Sequence, residues 1–571
     1  MLSLSIITFI AINKIFSNNQ IANKKEKNIR FGYVILIIIL LIAFTLRIIK
    51  LDELNPFIDE YYNLVAAKHL FLDGTFFYDR SKFITWILGA IFSANGGTTI
   101  FWGRFVVVII GIINTLLIYL IGRRYNKWCG YIAAFLFATL PLAIGLARFI
   151  REYEFILLFT LSTIYLNLLF HETKKKLYLI PFITILCILG YYFFAIERNL
   201  GILLVIIINI IPFYQDIINL IRRFFNWNKI IFFTTCFILL IGVSFVGYKI
   251  LIESSWFFSG LNIEKKYIYL FFYPGYNVEG SFPNWYLNIN FDLLKYPIFI
   301  IFGYPLIREN KKTYHIITHY LLFIILVLPF LLFTDRYFAA RYVYTAYPFF
   351  ILIISTGIYL ISKDIVNLLK RVHIPKFVSL IIISIFFLFF FSPYNAISSA
   401  VNQKNDQIDT RTGFTHYEER KLIQRLYELG YEGDDVVITT LPNVIIFNTN
   451  REFLKNMEQE NENRRMDGTK KQGEKYYVYD YAKNVFHYHY GGFGYNYSCL
   501  DDICTKNEKQ RVAQLIDSYE KGWLILDYNR NELWTIEGYP LRDFQTANSI
   551  VDYIGKVGNT IPLYIYKWDK K

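Results

Sequence analysis

Charged residues are scarce in this chain of 571 residues. Asp, Glu, Lys and Arg make up only 18% of it, whereas hydrophobic residues make up 55% and aromatic residues 19%. An average soluble domain has about 25% charged residues, and the mean hydropathy here is +0.35. The composition therefore excludes an ordinary soluble enzyme and predicts a polytopic membrane protein.

The chain also lacks the sequence patterns of several common sites. It has no internal repeat, no glycine-rich phosphate loop and no zinc-protease motif, so no nucleotide-binding domain is expected. Its five cysteines are too few for a disulfide scaffold. Cys499 and Cys504 lie close together, and an oxidising compartment would allow them to close a small loop.

Long apolar runs recur between Phe31 and Ser392 and then stop. About eleven are long enough to cross a bilayer. They lie near residues 31–49, 100–121, 129–147, 153–170, 177–195, 199–214, 230–251, 293–307, 316–334, 343–361 and 377–392. The fold class predicted is a polytopic α-helical membrane protein with about eleven transmembrane helices.

The placement of the net charge of +14 indicates topology rather than nucleic-acid binding. Clusters of Lys and Arg occupy every second short loop, at 123–127, 174–176, 222–229, 308–312 and 363–376. The positive-inside rule places these loops, and the basic run 24–30, in the cytoplasm. An odd number of spans then carries the tail to the extracytoplasmic side of a multi-pass protein of the cell membrane.

The composition divides the chain into three predicted parts. These are a cytoplasmic or interfacial N-terminus (1–30), a transmembrane domain (31–392) and an extracytoplasmic soluble domain (393–571). For the apolar stretch near the N-terminus we favour an interfacial helix over a signal peptide, because it lacks a small-residue cleavage site.

Two long connections within the middle part stand out. In residues 51–99, which we call the first loop, helical spacing of apolar residues in 60–72 and 82–92 predicts two amphipathic helices along the outer surface. Residues 253–294 are dense in Trp, Tyr, Gly and Pro. This composition fits an interfacial aromatic belt or a loop that covers a substrate.

The tail beyond residue 392 has the pattern of a small α/β domain. Residues 417–429 predict an amphipathic helix, and residues 435–440 and 523–527 predict strands. Alternation of helix and strand is typical of an α/β fold.

An acidic pair, Asp59 and Glu60, directly follows the first long apolar run. An ionised carboxylate at bilayer depth costs a few kcal/mol, so such acids need water, a cavity or a partner. Cations gather at the same predicted ends of the helices, namely Arg80, Lys82, Arg104, Arg148, Arg151, Arg198, Arg336 and Arg341. Snorkelling explains any one of them. The whole set beside two acids predicts binding of an anionic lipid headgroup.

Five segments, in order, resemble the GT-C glycosyltransferases, in the branch of protein O-mannosyltransferases and lipid A aminoarabinose transferases. They are FIDEYY (57–62), DRSKF (79–83), WGRFVVVIIGIINTLLIYLIGRRY (102–125), LARFIREYEFILLF (146–159) and ARYVYTAYP (340–348). Two departures concern the subfamily and the sugar. Phe83 and Ile84 stand where the family has two prolines, and Thr345 stands where the late motif often has its first proline.

The resemblance implies an enzyme of the cell envelope. It would move a sugar, with inversion, from a polyprenyl-phosphate donor to a protein, lipid or glycan acceptor on the extracytoplasmic face. Its partners would be these substrates and membrane lipids, with no nucleic acid.

The resemblance also implies roles for individual residues. Asp59 would act as base, with Glu60 as its partner through a hydrogen bond or a shared divalent metal ion; for Glu60, a charge favouring a helix N-terminus is an equal alternative. Lys82, Arg151 and Arg341 would neutralise the phosphate, with Arg104 and Arg148 as further candidates. Tyr62 would line the sugar pocket or anchor the chain at the interface.

A transporter or flippase of a lipid-linked sugar is the main alternative function. Such proteins usually place charges at the bilayer midplane and show repeated halves. This chain has its charges near predicted helix ends and no evident repeat, which favours the enzyme. A catalytically inactive scaffold of an envelope complex is a third possibility.

Overall fold

The structure is a computed structural model of the chain, and part of the chain is described. The described residues are 25–73, 82–97, 99–173, 297–308, 316–324, 326, 344–371, 407–409, 414–431, 435–439, 444–445, 447, 476–482, 485–490, 516–517, 519–527, 544–545, 549–559 and 562–570. The predicted spans within 177–251 and 377–392, the loop 253–294, and Cys499 and Cys504 lie outside them.

The described helices are α1 Lys25–Ile48, α2 Ile58–Asp73, α3 Lys82–Asn95, α4 Ile100–Tyr125, α5 Lys127–Thr139, α6 Pro141–Leu146, α7 Tyr153–Thr173, α8 Pro297–Arg308, α9 Tyr347–Arg371 and α10 Glu419–Glu428. Residues 316–324 are also helical. Within the described part of the chain, helices at Ile100–Tyr125, Tyr153–Phe170 and Tyr344–Leu369 are long and apolar enough to cross a membrane. The prediction of a membrane protein with several transmembrane helices is confirmed.

The connection between α4 and α5 is a single residue, Asn126. Its backbone N–H donates to the carbonyl of Gly122, and its side chain accepts from the N–H of Trp128. One residue therefore ends α4 and begins α5. The predicted run 129–147 is divided at Pro141, because proline has no N–H to continue the hydrogen-bonding of α5.

Both helices predicted in the first loop are present, as α2 and α3. However, α2 is a core helix rather than one lying on the outer surface, since Leu64, Val65 and Ala67 are fully buried. Part of its cover comes from the tail, where Phe447 contacts Tyr61 and Lys68 of α2. Lys68 of α2 donates from Nζ to the carbonyl of Phe447 over 3.1 Å. Burial lowers the pKa of this Lys68 ammonium group.

The tail forms a mixed sheet with strand order β4-β5-β3-β6-β9-β8-β7. The strands are β3 Val436–Thr439, β4 Tyr476–Ala482, β5 Val485–Tyr490, β6 Lys521–Asp527, β7 Phe544–Gln545, β8 Ser549–Val557 and β9 Leu563–Lys570, preceded by the hairpin of β1 Gln407–Asp409 and β2 Phe414–His416. β3 runs parallel to β5 and β6, and the other pairs are antiparallel. The two predicted strands and the predicted helix appear as β3, β6 and α10, which confirms an α/β tail.

Candidate active site at the start of α2

The acidic pair lies in the first turn of α2, and Glu60 is fully engaged there. Its Oε1 accepts from Arg104 Nε (3.0 Å) and from the N–H of Ile150 (3.1 Å). Its Oε2 accepts from Arg104 Nη2 (2.9 Å) and from the N–H of Phe57 (2.9 Å). These four hydrogen bonds match the acceptor capacity of a carboxylate. The bond to Phe57 also satisfies a backbone donor at the start of the helix.

Arg104, on α4, holds the segment that leads into α2. Its Nη1 donates to the carbonyls of Leu51 (2.9 Å) and Leu54 (2.7 Å), while its other two nitrogens bind Glu60. The side chain is buried. Arg104 therefore fixes the path of the chain that leads into the acidic pair, and four of its five N–H groups are committed within the protein.

The turn between α6 and α7 packs against the same end of α2. The backbone of Ile150 is bound at both groups: its N–H donates to Glu60, and its carbonyl accepts from Asn63 Nδ2 over 2.8 Å. Two residues of α2 thus fix one residue of the turn. Glu60 and Asn63 are three positions apart, so they share one helix face.

Two predicted cations flank Ile150 in this turn. Arg148 donates from Nη2 to the carbonyls of Ile49 (2.8 Å) and Lys50 (2.9 Å), just beyond α1. Arg151 lies 3.2 Å from a carboxylate oxygen of Glu152. Both arginines are almost completely buried. The structure therefore brings Glu60, Arg104, Arg148 and Arg151 to one region, where α2, α4 and the α6–α7 turn meet.

Residues at and just before the start of α10 bind the beginning of the first loop. Asn55 Nδ2 donates to the carbonyl of Tyr417 over 2.7 Å. Arg420 donates to the backbone carbonyl of Asp52 over 2.6 Å and to its carboxylate over 3.1 Å. We call these contacts the loop clamp. It connects the tail directly to the residues that precede the acidic pair.

Glu419, the first residue of α10, lies between Tyr417 and Arg420, and its side chain is buried. Neither of its carboxyl oxygens accepts a hydrogen bond from another described residue. Burial raises the pKa of this carboxyl well above its ordinary value. The Glu60 carboxylate raises the pKa further, while the N–H of Glu419 itself and the Arg104 guanidinium oppose this.

A second buried polar cluster lies among the transmembrane helices. Glu154 of α7 accepts from Asn114 Nδ2 (2.6 Å) and from the hydroxyl of Tyr344 (2.5 Å). Arg47 of α1 is close enough for its charge to interact with Glu154. Arg47 also donates to the carbonyls of Ala138 and Phe137. The cluster ties α1, α4, α5 and α7 together.

Sequence reasoning missed both Glu419 and the Arg47–Glu154 cluster, although a signal existed for each. Arg47 and Glu154 are ionisable residues at the ends of long apolar runs, which marks them as candidates. Glu419 stands three residues before Leu422 and seven before Leu426, on the buried stripe of α10.

Several predicted site residues remain predictions. Asp59 and Lys82 lie in the first turns of α2 and α3, but their side chains, that of Tyr62, and the whole of Arg341 lie outside the described residues.

The described residues do not fit a metal site. They contain no group of three His, Cys, Asp or Glu side chains that would hold a metal ion. The lone pairs of Glu60 are already occupied by the four N–H groups above, so a metal ion on Glu60 would displace at least one of them.

Comparisons with known proteins agree with the motifs. The sequence pattern of the family described as dolichyl-phosphate-mannose-protein mannosyltransferase matches residues 79–248. The match thus begins after the acidic pair and includes Arg104, Arg148 and Arg151. Comparison with curated proteins finds no match.

Among solved structures, the archaeal oligosaccharyltransferase AglB from Archaeoglobus fulgidus, in complex with an inhibitory peptide and a dolichol-phosphate, superposes with a TM-score of 0.50 at 12% identity, over 74% of this chain and 64% of AglB. The chain has the GT-C fold. The resemblance found in the motifs is thereby confirmed at the level of the GT-C fold. The chain spans less than two thirds of AglB.

A second GT-C structure, ArnT from Cupriavidus metallidurans bound to undecaprenyl phosphate, matches at 10% identity with a TM-score of 0.48. The match covers 94% of this chain and 98% of ArnT.

Proposed function

We propose that this chain is a membrane glycosyltransferase that moves a sugar from a polyprenyl-phosphate donor to an acceptor on the extracytoplasmic face. The GT-C fold and the mannosyltransferase sequence pattern support the reaction class. The similar protein AglB was solved with a dolichol-phosphate and a peptide, which supports a lipid phosphate donor. The observation that carries the proposal is that the first turn of α2, in which Asp59 lies, is fixed by the buried Glu60–Arg104 pair.

In this proposal Asp59 takes the proton from the acceptor hydroxyl as that oxygen attacks the anomeric carbon and the bond to the lipid phosphate breaks. Attack opposite to the leaving group inverts the anomeric centre. A positioned base contributes about 10²- to 10⁴-fold in rate. Glu60 and Arg104 act as positioning residues, because their hydrogen bonds are used within the protein.

The charge on the departing phosphate needs cations. We assign this role to Lys82, Arg148, Arg151 and Arg341. Removal of one contact that stabilises developing charge typically costs about 10²- to 10³-fold in rate. Tyr62, two residues after Glu60 in the first turns of α2, is assigned to the sugar.

The proposal is tested by transfer assays in membranes with a panel of radiolabelled polyprenyl-phosphate sugars. We expect the wild type to pass label from one donor to an acceptor and Asp59→Asn to fail, with equal amounts of protein in the membrane. Asp73→Asn, the same chemical change at the last residue of α2, serves as the matched control and should retain transfer. Full transfer by Asp59→Asn would remove Asp59 from the mechanism.

Two further arms of the same assay separate the alternatives. A chelator tests the metal: loss of transfer that added Mg²⁺ or Mn²⁺ restores would show that the reaction needs a divalent metal ion. Movement of labelled carrier across the bilayer without transfer, equal in the wild type and Asp59→Asn, would instead support the transporter.

A further inference from the structure

Glu419 is a buried acid with little in its surroundings to stabilise its ionised form. It is 1% exposed, and neither carboxyl oxygen has a hydrogen-bond donor on another described residue; its own N–H and the Arg104 charge oppose the effect of burial only in part. An ionised carboxylate in such a place costs several kcal/mol, which a protein usually avoids by keeping the group protonated.

The charges that face Glu419 favour the protonated form. Among the described residues they come from three elements: Glu60 on α2, Arg104 on α4 and Glu418 on its own helix. Arg104 is the only cation of the three, and its guanidinium already binds Glu60 through two nitrogens. An ionised Glu419 would therefore be repelled by Glu60 and Glu418 more strongly than it is attracted by Arg104.

The position of Glu419 links its charge to the candidate active site. Its neighbours Tyr417 and Arg420 form the loop clamp on Asn55 and Asp52. The clamped segment continues directly into α2, where Asp59 and Glu60 follow. If ionisation moves Glu419 out of its buried position, Tyr417 and Arg420 move with it and the loop clamp opens.

We propose that Glu419 is a positioning residue that docks the tail onto the first loop in its neutral form, and that its ionisation at higher pH loosens the loop clamp and with it the first turn of α2. The inference rests on the proposed function only where it names the acidic pair as the site that is positioned. The docking itself is a physical property that is measurable without turnover.

The direction of the pH dependence follows from proton linkage. When the clamp opens, Glu419 meets water and ionises at its ordinary pKa, whereas the docked form holds its proton to higher pH. Between these two values the docked state binds one more proton than the open state, so the docking constant falls about tenfold per pH unit. Above the docked pKa the constant is level again.

Hydrogen exchange of the full-length protein in lipid nanodiscs tests this. Amides of residues 417–431 and 49–57 are followed from pH 5 to pH 8, after correction for the intrinsic exchange rate. We expect protection in the wild type to fall as the pH rises. Glu419→Gln, which keeps the shape without the charge, should give protection that is independent of pH and exceeds that of the wild type at pH 8.

Glu418→Gln is the matched control, because Glu418 is adjacent, is more exposed and pairs with Lys421 over 2.8 Å. This variant should retain the fall in protection as the pH rises, with the fall ending at a lower pH, because one charge that opposes ionisation of Glu419 is removed. Equal protection of the wild type at pH 5 and pH 8, or a pH dependence that persists in Glu419→Gln, would overturn the proposal.

Two further readouts separate this inference from its alternatives. Mg²⁺ or Mn²⁺ added at pH 8 should not change protection; a gain in the wild type that is absent in Glu419→Gln would mean that a cation, not a proton, neutralises Glu419, and would overturn the proposal. If Asp59→Asn retains transfer but the exchange behaves as expected, the proposed base is wrong and the docking role of Glu419 stands.

Discussion

Arg104 and Glu60 form a bidentate ion pair, with Nε 3.0 Å from Oε1 and Nη2 2.9 Å from Oε2. Both side chains are almost fully buried. A buried pair of this kind contributes little net stability, because both ions lose their water. The pair instead fixes the position of α2 relative to α4.

A double-mutant cycle tests this pair. Glu60→Gln or Arg104→Met alone should each lower the free energy of unfolding by about 3–5 kcal/mol, because one buried charge is left without its partner. The double variant should lose less than the sum of the two. Unfolding in detergent, followed by tryptophan fluorescence, measures all four proteins. Additive losses would show that the two side chains act independently.

The contact between α8 and α9 predicts a sharp glycine effect. A Cβ atom on Gly357 would meet the carbonyl oxygen of Ile301 and lie 2.9 Å from its Cγ2, whereas one on Gly303 would meet nothing within 4 Å. Gly357→Ala should therefore destabilise the protein by about 1–3 kcal/mol through overpacking. Gly303→Ala, in the same helix pair, should be neutral or stabilising by up to about 1 kcal/mol. Thermal unfolding in detergent compares them, and equal midpoints would contradict the close approach.

The two halves of the loop clamp should differ in strength. Asn55 is buried, so Asn55→Ala leaves its partner carbonyl unsatisfied and should cost about 1–3 kcal/mol in docking of α10. The side chains of Arg420 and Asp52 are 44% and 54% exposed, and Arg420→Ala should cost at most about 1 kcal/mol. Hydrogen exchange of 417–431 measures both variants. A larger effect of Arg420→Ala that persists in high salt would reverse this ranking.

The hydroxyl of Tyr344 should matter for the Glu154 cluster. Tyr344→Phe removes a donor 2.5 Å from a buried carboxylate, and hydrogen bonds to charged groups contribute about 1.5–3 kcal/mol. Tyr33→Phe is the control, because Tyr33 is 61% exposed and surface changes usually stay within about 0.5 kcal/mol. Thermal unfolding of the two variants should separate them. A Tyr344→Phe protein as stable as Tyr33→Phe would mean that the carboxylate finds another donor.

Much of the fold was predictable because hydropathy and helical spacing are local signals. The helices α1, α4, α7 and α9 follow apolar runs, and α2 and α3 follow the spacing of the first loop. Burial of α2 was not predictable in this way, since part of its cover comes from residues more than 350 positions later, such as Phe447, which contacts Tyr61 and Lys68. The adjacent strands β8 and β9, whose antiparallel pairing contains a register shift between Tyr553 and Gly555, also went unpredicted.

The candidate site was likewise predictable only in part. Its residue types were visible as an acidic pair and a set of arginines, but their partners were not. Nothing local in the sequence says that Glu60 binds Arg104 or that Ile150 supplies a backbone donor. Glu419 resembles the exposed acids around it unless its place on the apolar stripe of α10 is noticed.

The contact between Asn55 and Tyr417 joins residues 362 positions apart. At about 5–20 residues per second, the ribosome makes Tyr417 roughly 20 to 70 seconds after Asn55. During that interval the intervening helices enter the membrane while the segment before α2 is without its partner from the tail. A nascent chain therefore forms the Glu60–Arg104 pair long before the loop clamp, and a truncated product would insert with the acidic pair in place but with the loop before it unclamped.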